Sequence, residues 1–368
     1  VNEKEKTYFP ELDGLRFFAF LLVFIHHGEE ISSKPYWLTL REYGWMGVDL
    51  FLCLSAFLFT KLLYTEYQRT GTINIPYFYV RRTLRIWPLY YVVTFALILE
   101  TFSLLGSSGL AWRTIGMLTF TDNLLTAAFL TYNPFLYASH LWTIAYEEQF
   151  YAVIPWALRY IFKVGLRTKV LIMVAMIGLG SVIRAGFIWM QVPHPTIWVL
   201  PITHFDSILI GLMIGLGILD PILNKIPASI TWLAGLAALA VVCKLPNVDS
   251  ITWYLMLTYP LVGIGMGLIL YTVLHSSNSR WVFWVSSQPL RFLGKISYGL
   301  YVYHKFGLRY IGNLLVVDRV NNYWLWFLSV FILPLLFTIV VSALSYYILE
   351  KPFLRMKDRF SIVLSRPV

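Results

Sequence analysis

Apolar runs of membrane-spanning length recur from one end of this 368-residue chain to the other. A hydrocarbon layer about 30 Å thick needs about 20 such residues in each helix that crosses it. Only 13% of the residues are charged and 58% are hydrophobic, whereas a soluble domain carries about 25% charged residues. Lipid offers no hydrogen bonds to backbone, so only helices and closed barrels cross it. The strand alternation of a barrel is missing. The chain therefore reads as an all-α polytopic membrane protein. Aromatic residues (17%) gather near segment ends, as interfacial belts require.

Spans are expected near 14–28, 46–64, 86–105, 141–160, 170–190, 203–219, 229–244, 252–275, 297–316 and 324–349. The stretch between Gly106 and Ser139 is ambiguous, because its apolar centre, residues 113–130, holds Arg113, Asp122 and Asn123. It reads as an eleventh span or as a partly inserted or surface helix. Loop charge favours the second reading. If it does not cross, Arg81, Arg82 and Arg85 share a side with Arg159, Lys163, Arg167, Lys169 and the basic tail. Lys34, Arg41, Arg113, Lys244 and Arg319 remain opposite. The positive-inside rule then gives about ten crossings with both termini cytoplasmic. Residues 1–352 are expected to form one transmembrane domain and 353–368 a short basic cytoplasmic tail, and no appended soluble domain is expected.

The net charge of +10 follows from these basic loops and the tail, so no nucleic-acid partner is expected. Membrane lipid is the expected surroundings. Cys53 and Cys243 lie in apolar runs and form neither a disulfide framework nor a zinc pattern, so no metal is expected.

Ionisable residues inside such segments are costly and point to function. The first segment carries Arg16, His26 and His27. Arg16 and His27 are eleven residues apart, which places them on one helical face about 16 Å apart along the axis. His26 is turned about 100° away. This helix reads as part of a route joining the two sides of the membrane. With the topology above, His27, Asp49, His140, Glu147, His204 and Asp206 fall near outer helix ends. Arg16 and the run Arg81-Arg-Thr-Leu-Arg85 fall near inner ends. Histidine beside a carboxylate suits proton transfer. Clustered arginines suit phosphate oxygens, or equally the lipid headgroups that orient a membrane protein. His140, Ile144, Glu147 and Tyr151 share a helical face, with Glu148 turned away. Asp49 could cap its helix, and Arg184 has Asp206 as a candidate partner.

Six segments carry a resemblance. Asp13-Gly-Leu-Arg16 through His27, Gly47-Val-Asp-Leu-Phe-Leu-Cys-Leu-Ser-Ala-Phe-Leu58, Phe78-Tyr-Val-Arg-Arg-Thr-Leu-Arg-Ile-Trp-Pro88 and His140-Leu-Trp-Thr-Ile-Ala-Tyr-Glu-Glu-Gln-Phe-Tyr151 occur in that order. Ile296-Ser-Tyr-Gly-Leu-Tyr-Val-Tyr-His304 and Glu350-Lys-Pro352 follow. Together they resemble the motifs of integral-membrane acyltransferase family 3, which includes bacterial surface-polysaccharide O-acetyltransferases. The chain looks like a standalone form without an SGNH domain. It departs from the family pattern at Ala56 (usually glycine), at Tyr146 (usually a small aliphatic), and at His204 (where arginine is expected). Lys305-Phe306 replaces a proline that often follows the late histidine.

The resemblance implies transfer of an acyl group, usually acetyl from acetyl-CoA, to a hydroxyl of a glycan or lipid-linked sugar at a bacterial cytoplasmic membrane. Succinyl transfer, or transfer to a small molecule or lipid, stays open within the family. On this reading His27 is the catalytic base and Glu147 orients its imidazolium. Arg16, Arg81, Arg82 and Arg85 hold the acyl-CoA. Asp49, His140, Trp142, Asp206, Tyr298 and His304 are supporting or acceptor-side candidates. A proton-coupled transporter is the alternative from another class, because intramembrane His, Glu, Asp and Arg also build proton relays.

Overall fold

A computed structural model describes residues 8–28, 35–105, 110–135, 137–276, 280–311 and 327–363. Lys34, Arg319 and Arg366 lie outside them, as do 312–316 of the ninth expected span and 324–326 of the tenth. The described residues are helical, with no strand among them. The helices are α1 (Pro10–His27), α2 (Pro35–Tyr43), α3 (Met46–Thr70), α4 (Ile75–Leu105), α5 (Ala111–Leu118) and α6 (Asp122–Phe129). Then come α7 (Trp142–Ile161), α8 (Leu166–Trp189), α9 (Thr196–Val199), α10 (Asp206–Gly215), α11 (Asp220–Leu223), α12 (Ala228–Val242) and α13 (Leu255–His275). The chain ends through α14 (Arg280–Val285), α15 (Gln288–Lys295), α16 (Ser297–Phe306), α17 (Leu333–Ser345) and α18 (Lys351–Lys357). A π-helical turn extends α16, and two more flank α17.

Among the described residues, five helical stretches are long and apolar enough to cross a membrane: Thr39–Thr70, Ile75–Phe102, Leu166–Trp189, Leu255–His275 and Leu328–Phe360. Most of the remaining expected spans are helical but shorter or broken. The segment 203–219 holds only the ten-residue α10, which at 1.5 Å per residue is about 15 Å long. The stretch 113–130 is two helices of eight residues each rather than one. They are separated at Phe120, whose φ of 55° is left-handed. Each is about 12 Å long, too short to cross alone.

α3 is the centre of the bundle, with α1, α10 and α13 packed on it. Two glycines permit the approach. A Cβ on Gly47 would stand 2.3 Å from the Ala19 carbonyl oxygen of α1. One on Gly211 of α10 would stand 2.3 Å from the Cys53 carbonyl oxygen and 3.0 Å from the Ala56 Cβ. The α3–α10 contact is thus made by small residues on both helices, and Ala56 is fully buried in it. Fixing α3 against α1 sets where Arg16 and His27 point.

Candidate functional site

The polar residues of the helices converge on two chambers. The first, about 110 Å³, is built by α1, α3, α4, α7 and α16. It is lined by Arg16, Ser55, Arg82, Arg85, Glu147 and Tyr298, with aromatic walls from Phe59 and Tyr151. The second, about 330 Å³, is lined by His26, His27, His140, Trp142 and Lys305, with Tyr132, His194 and Asp249 from the connecting loops. We call them the arginine chamber and the histidine chamber. α1 serves both, because its turns at Arg16 and His27 open on different ones. Val48, Thr143 and Tyr301 line both chambers and form the partition between them. The Thr143 and Tyr301 hydroxyls meet at 2.6 Å, where one donates to the other, and the remaining proton goes to the His140 carbonyl, 3.1 Å from both oxygens.

In the arginine chamber, helical spacing sorts the arginine run. Arg82 and Arg85, three residues apart, face the cavity together. The Arg82 guanidinium lies 4.1 Å from the Phe59 ring centroid, a cation–π contact. Arg81 turns elsewhere. It pairs with Glu66 at 3.2 Å and donates to the Phe360 carbonyl at 2.8 Å, which ties α4 to α3 and to the chain after α18. Of the expected arginine trio, Arg82 and Arg85 line this chamber, while Arg81 meets Arg82 in a smaller cavity. Arg16 contacts Asp13 at 3.2 Å. Glu147 accepts from Ser55 Oγ at 3.5 Å, and Arg85 and Arg16 present positive charge to it. Glu148 faces the other way and accepts from Trp87 Nε1 at 3.3 Å. Tyr298 donates to the Ile86 carbonyl at 2.9 Å, so its hydroxyl is already engaged.

The sequence did not single out Lys357. It is buried and lines a small cavity with Glu66, Arg81 and Arg82. The only sequence signals for it are the preceding Glu350-Lys-Pro352 motif and the basic tail.

The histidine chamber holds a chain of rings. Nδ1 of His27 is 3.0 Å from the Val23 carbonyl and 3.0 Å from Nε2 of His304. Nδ1 of His304 is 2.6 Å from the Tyr301 carbonyl. A carbonyl only accepts, so in the neutral rings both Nδ1 atoms carry the proton. His304 Nε2 is then an acceptor, and His27 Nε2 keeps a free lone pair. His140 stacks edge-on against His304, with ring centroids 4.6 Å apart. Neither of its ring nitrogens has a hydrogen-bond partner among the described residues. His26, expected to point away, also lines the chamber, because its Nδ1 is drawn to the Arg41 carbonyl at 2.8 Å. Among the described residues no group is arranged to hold a metal ion.

The expected pairing of His27 with Glu147 is not made, because the two residues open on opposite sides of the partition. His304 is the side chain that touches His27 instead.

Asp49 and Asp206 line neither chamber and belong to a buried network. Asp49 accepts from Ser207 Oγ at 2.5 Å and meets His204 Nε2 at 3.1 Å, and it makes no side-chain cap of α3. Asp206 pairs with Arg184, as the sequence suggested. Tyr146 donates to the His204 carbonyl at 2.7 Å. That bond is to the backbone of residue 204 and does not use the His204 side chain.

A family model described as an acyltransferase domain (acyltransferase family 3) matches residues 9–343. The chain belongs to this family. Similar curated proteins are the O-acetyltransferases OatA of Staphylococcus aureus strains NCTC 8325 and COL. Each is 28% identical over 363 residues, covering 94% of this chain and 57% of the relative. A provisionally named O-acetyltransferase of strain COL is also 28% identical, over 95% of this chain and 58% of its own length. The chain thus spans a little over half the length of these relatives. No solved structure matches it. The acyltransferase domain covers both chambers, and all six motif segments contribute to them or to the helices around them.

Proposed function

We propose that this protein is a membrane O-acyltransferase that moves acetyl from cytoplasmic acetyl-CoA to a hydroxyl of an extracytoplasmic or lipid-linked glycan, at a bacterial cytoplasmic membrane. The observation that carries this reading is the pair of polar chambers meeting at Val48, Thr143 and Tyr301. One has the chemistry for a phosphorylated donor and the other for a hydroxyl acceptor. Family membership and the names of the relatives supply the reaction class. The loop charges support about ten crossings with both termini cytoplasmic. α10 is nearly all buried, so a shortened crossing there exposes little backbone to lipid.

In this reading Arg82, Arg85 and Arg16 bind donor phosphates by charge-assisted hydrogen bonds, with Lys357 adding positive charge beside Arg82. The thioester lies toward the partition and the acceptor hydroxyl enters the histidine chamber. His27 Nε2 takes the hydroxyl proton while the oxygen attacks the thioester carbonyl. The tetrahedral intermediate collapses, the C–S bond breaks, and the CoA sulfur recovers the proton from His27. His304 Nε2, accepting from His27 Nδ1–H, holds the ring in the required tautomer. The closed partition keeps water from the thioester before the acceptor arrives.

The test is incubation of the purified protein with radiolabelled acetyl-CoA and candidate glycans. Label in glycan, lost in His27→Ala, supports the proposal. Proton-coupled uptake without acyl transfer would establish a transporter in its place.

A further inference from the structure

The proton transfer described above makes no use of Lys305. This residue lines the histidine chamber one helical turn beyond Tyr301 on α16. Its ammonium donates to Ser139 Oγ at 2.6 Å. No carboxylate lies within ion-pair distance of it among the described residues. Asp249 lines the same chamber, but it faces His194 at 3.3 Å and its side chain is 72% exposed. The neighbouring His26, His27 and His304 are fixed by backbone carbonyls through Nδ1–H and bring no negative charge. Arg309, one turn further along, adds positive charge at the surface.

A half-buried cation that meets only a hydroxyl is under-compensated. A ligand anion would complete it. The rest of the wall suits a sugar, since Trp45, Trp142 and Trp198 offer broad apolar faces and His194, Asn247 and Ser139 offer polar contacts.

We propose that the acceptor sugar carries an anionic group, a carboxylate or a phosphate, near the acylated hydroxyl, and that Lys305 binds it. The inference rests on reading the histidine chamber as the acceptor site. Lys305 selects the acceptor and takes no part in the proton transfer.

Surface glycans from cells with and without the protein are compared by mass spectrometry, and the residue bearing the additional acetyl ester is mapped. The ester is expected on a sugar with a carboxylate or a phosphate, and the mapping itself tells which. In vitro, the purified protein is given the native glycan and the same glycan after carboxyl reduction or phosphate removal. Transfer is expected to favour the native form by about tenfold or more, the size of one charge-assisted hydrogen bond. That ratio falls toward one in Lys305→Met and persists in Lys305→Arg. A misfolded variant would lower both rates and leave the ratio unchanged. An ester mapped to a sugar without an anionic group, or a ratio that Lys305→Met leaves unchanged in protein that melts at the wild-type temperature, overturns the inference and leaves the acyltransferase reading standing. No ester on any glycan would overturn both.

Discussion

Nε2 of His304 lies 3.0 Å from Nδ1 of His27, across 277 residues of sequence. This contact, and not one from Glu147, fixes the catalytic candidate. The Tyr301 carbonyl holds the His304 proton on Nδ1, and the His27 proton is held on Nδ1 in turn.

His27→Ala removes the proposed base, and transfer should fall by about 10²–10⁴-fold, the usual contribution of general-base catalysis. His304→Ala removes only a neutral hydrogen bond worth about 1 kcal/mol, so a loss of roughly tenfold or less is expected. Both are read from initial rates of labelled acetyl transfer. A His304 variant as inactive as the His27 variant would mean that His304 itself handles the proton.

Arg82→Ala and Arg85→Ala should each raise KM for acetyl-CoA by roughly 10- to 100-fold, since a hydrogen bond to a charged group is worth about 1.5–3 kcal/mol. Arg81→Ala should leave that KM nearly unchanged. Its effect belongs on stability, because it costs the buried Glu66 its ion pair, leaving the Asn74 N–H to meet the carboxylate, and releases the Phe360 carbonyl. Donor titrations on all three proteins, beside thermal melts, separate the roles. Equal KM effects at the three positions would contradict the sorting by helix face.

Tyr301→Phe deletes the hydroxyl that bridges Thr143 and the His140 carbonyl in the partition. The expected signature is uncoupling, in which acetyl-CoA hydrolysis without acceptor rises while transfer to glycan falls. Thiol release measured with and without acceptor reads this directly. Unchanged hydrolysis in the variant would show that the partition does not guard the thioester.

Arg184→Ala leaves Asp206 charged and buried without its partner, which typically costs about 3–5 kcal/mol of stability. Neither residue lines a chamber. The melting temperature in detergent should drop markedly, while the KM for acetyl-CoA of the protein that remains folded should stay near wild type.

What could be read from the residues alone was whatever depends on periodicity and solvent. Five of the expected spans follow from the length of apolar runs. The shared face of Arg16 and His27 follows from 3.6 residues per turn. Glu147 and Glu148 are turned apart by 100° for the same reason, and the structure keeps them apart. Arg184 with Asp206 was legible because a charge in lipid needs a partner.

Tertiary structure decided which chamber each face meets. Helical phase gives a residue's direction about its own axis and says nothing about which neighbour stands there. Arg81 and Arg82 differ by one position, yet Glu66 and the Phe360 carbonyl claim the first while the arginine chamber receives the second. Glu147 shares its helix with Thr143 of the partition, but the approach of α1 to α3 at Gly47 leaves His27 on the far side of that partition. The contact of His304 with His27, and the cavities that Lys305 and Lys357 line, appeared only when α16 and α18 packed back on the bundle. Contacts across hundreds of residues arise from the packing of whole helices, which no local pattern encodes.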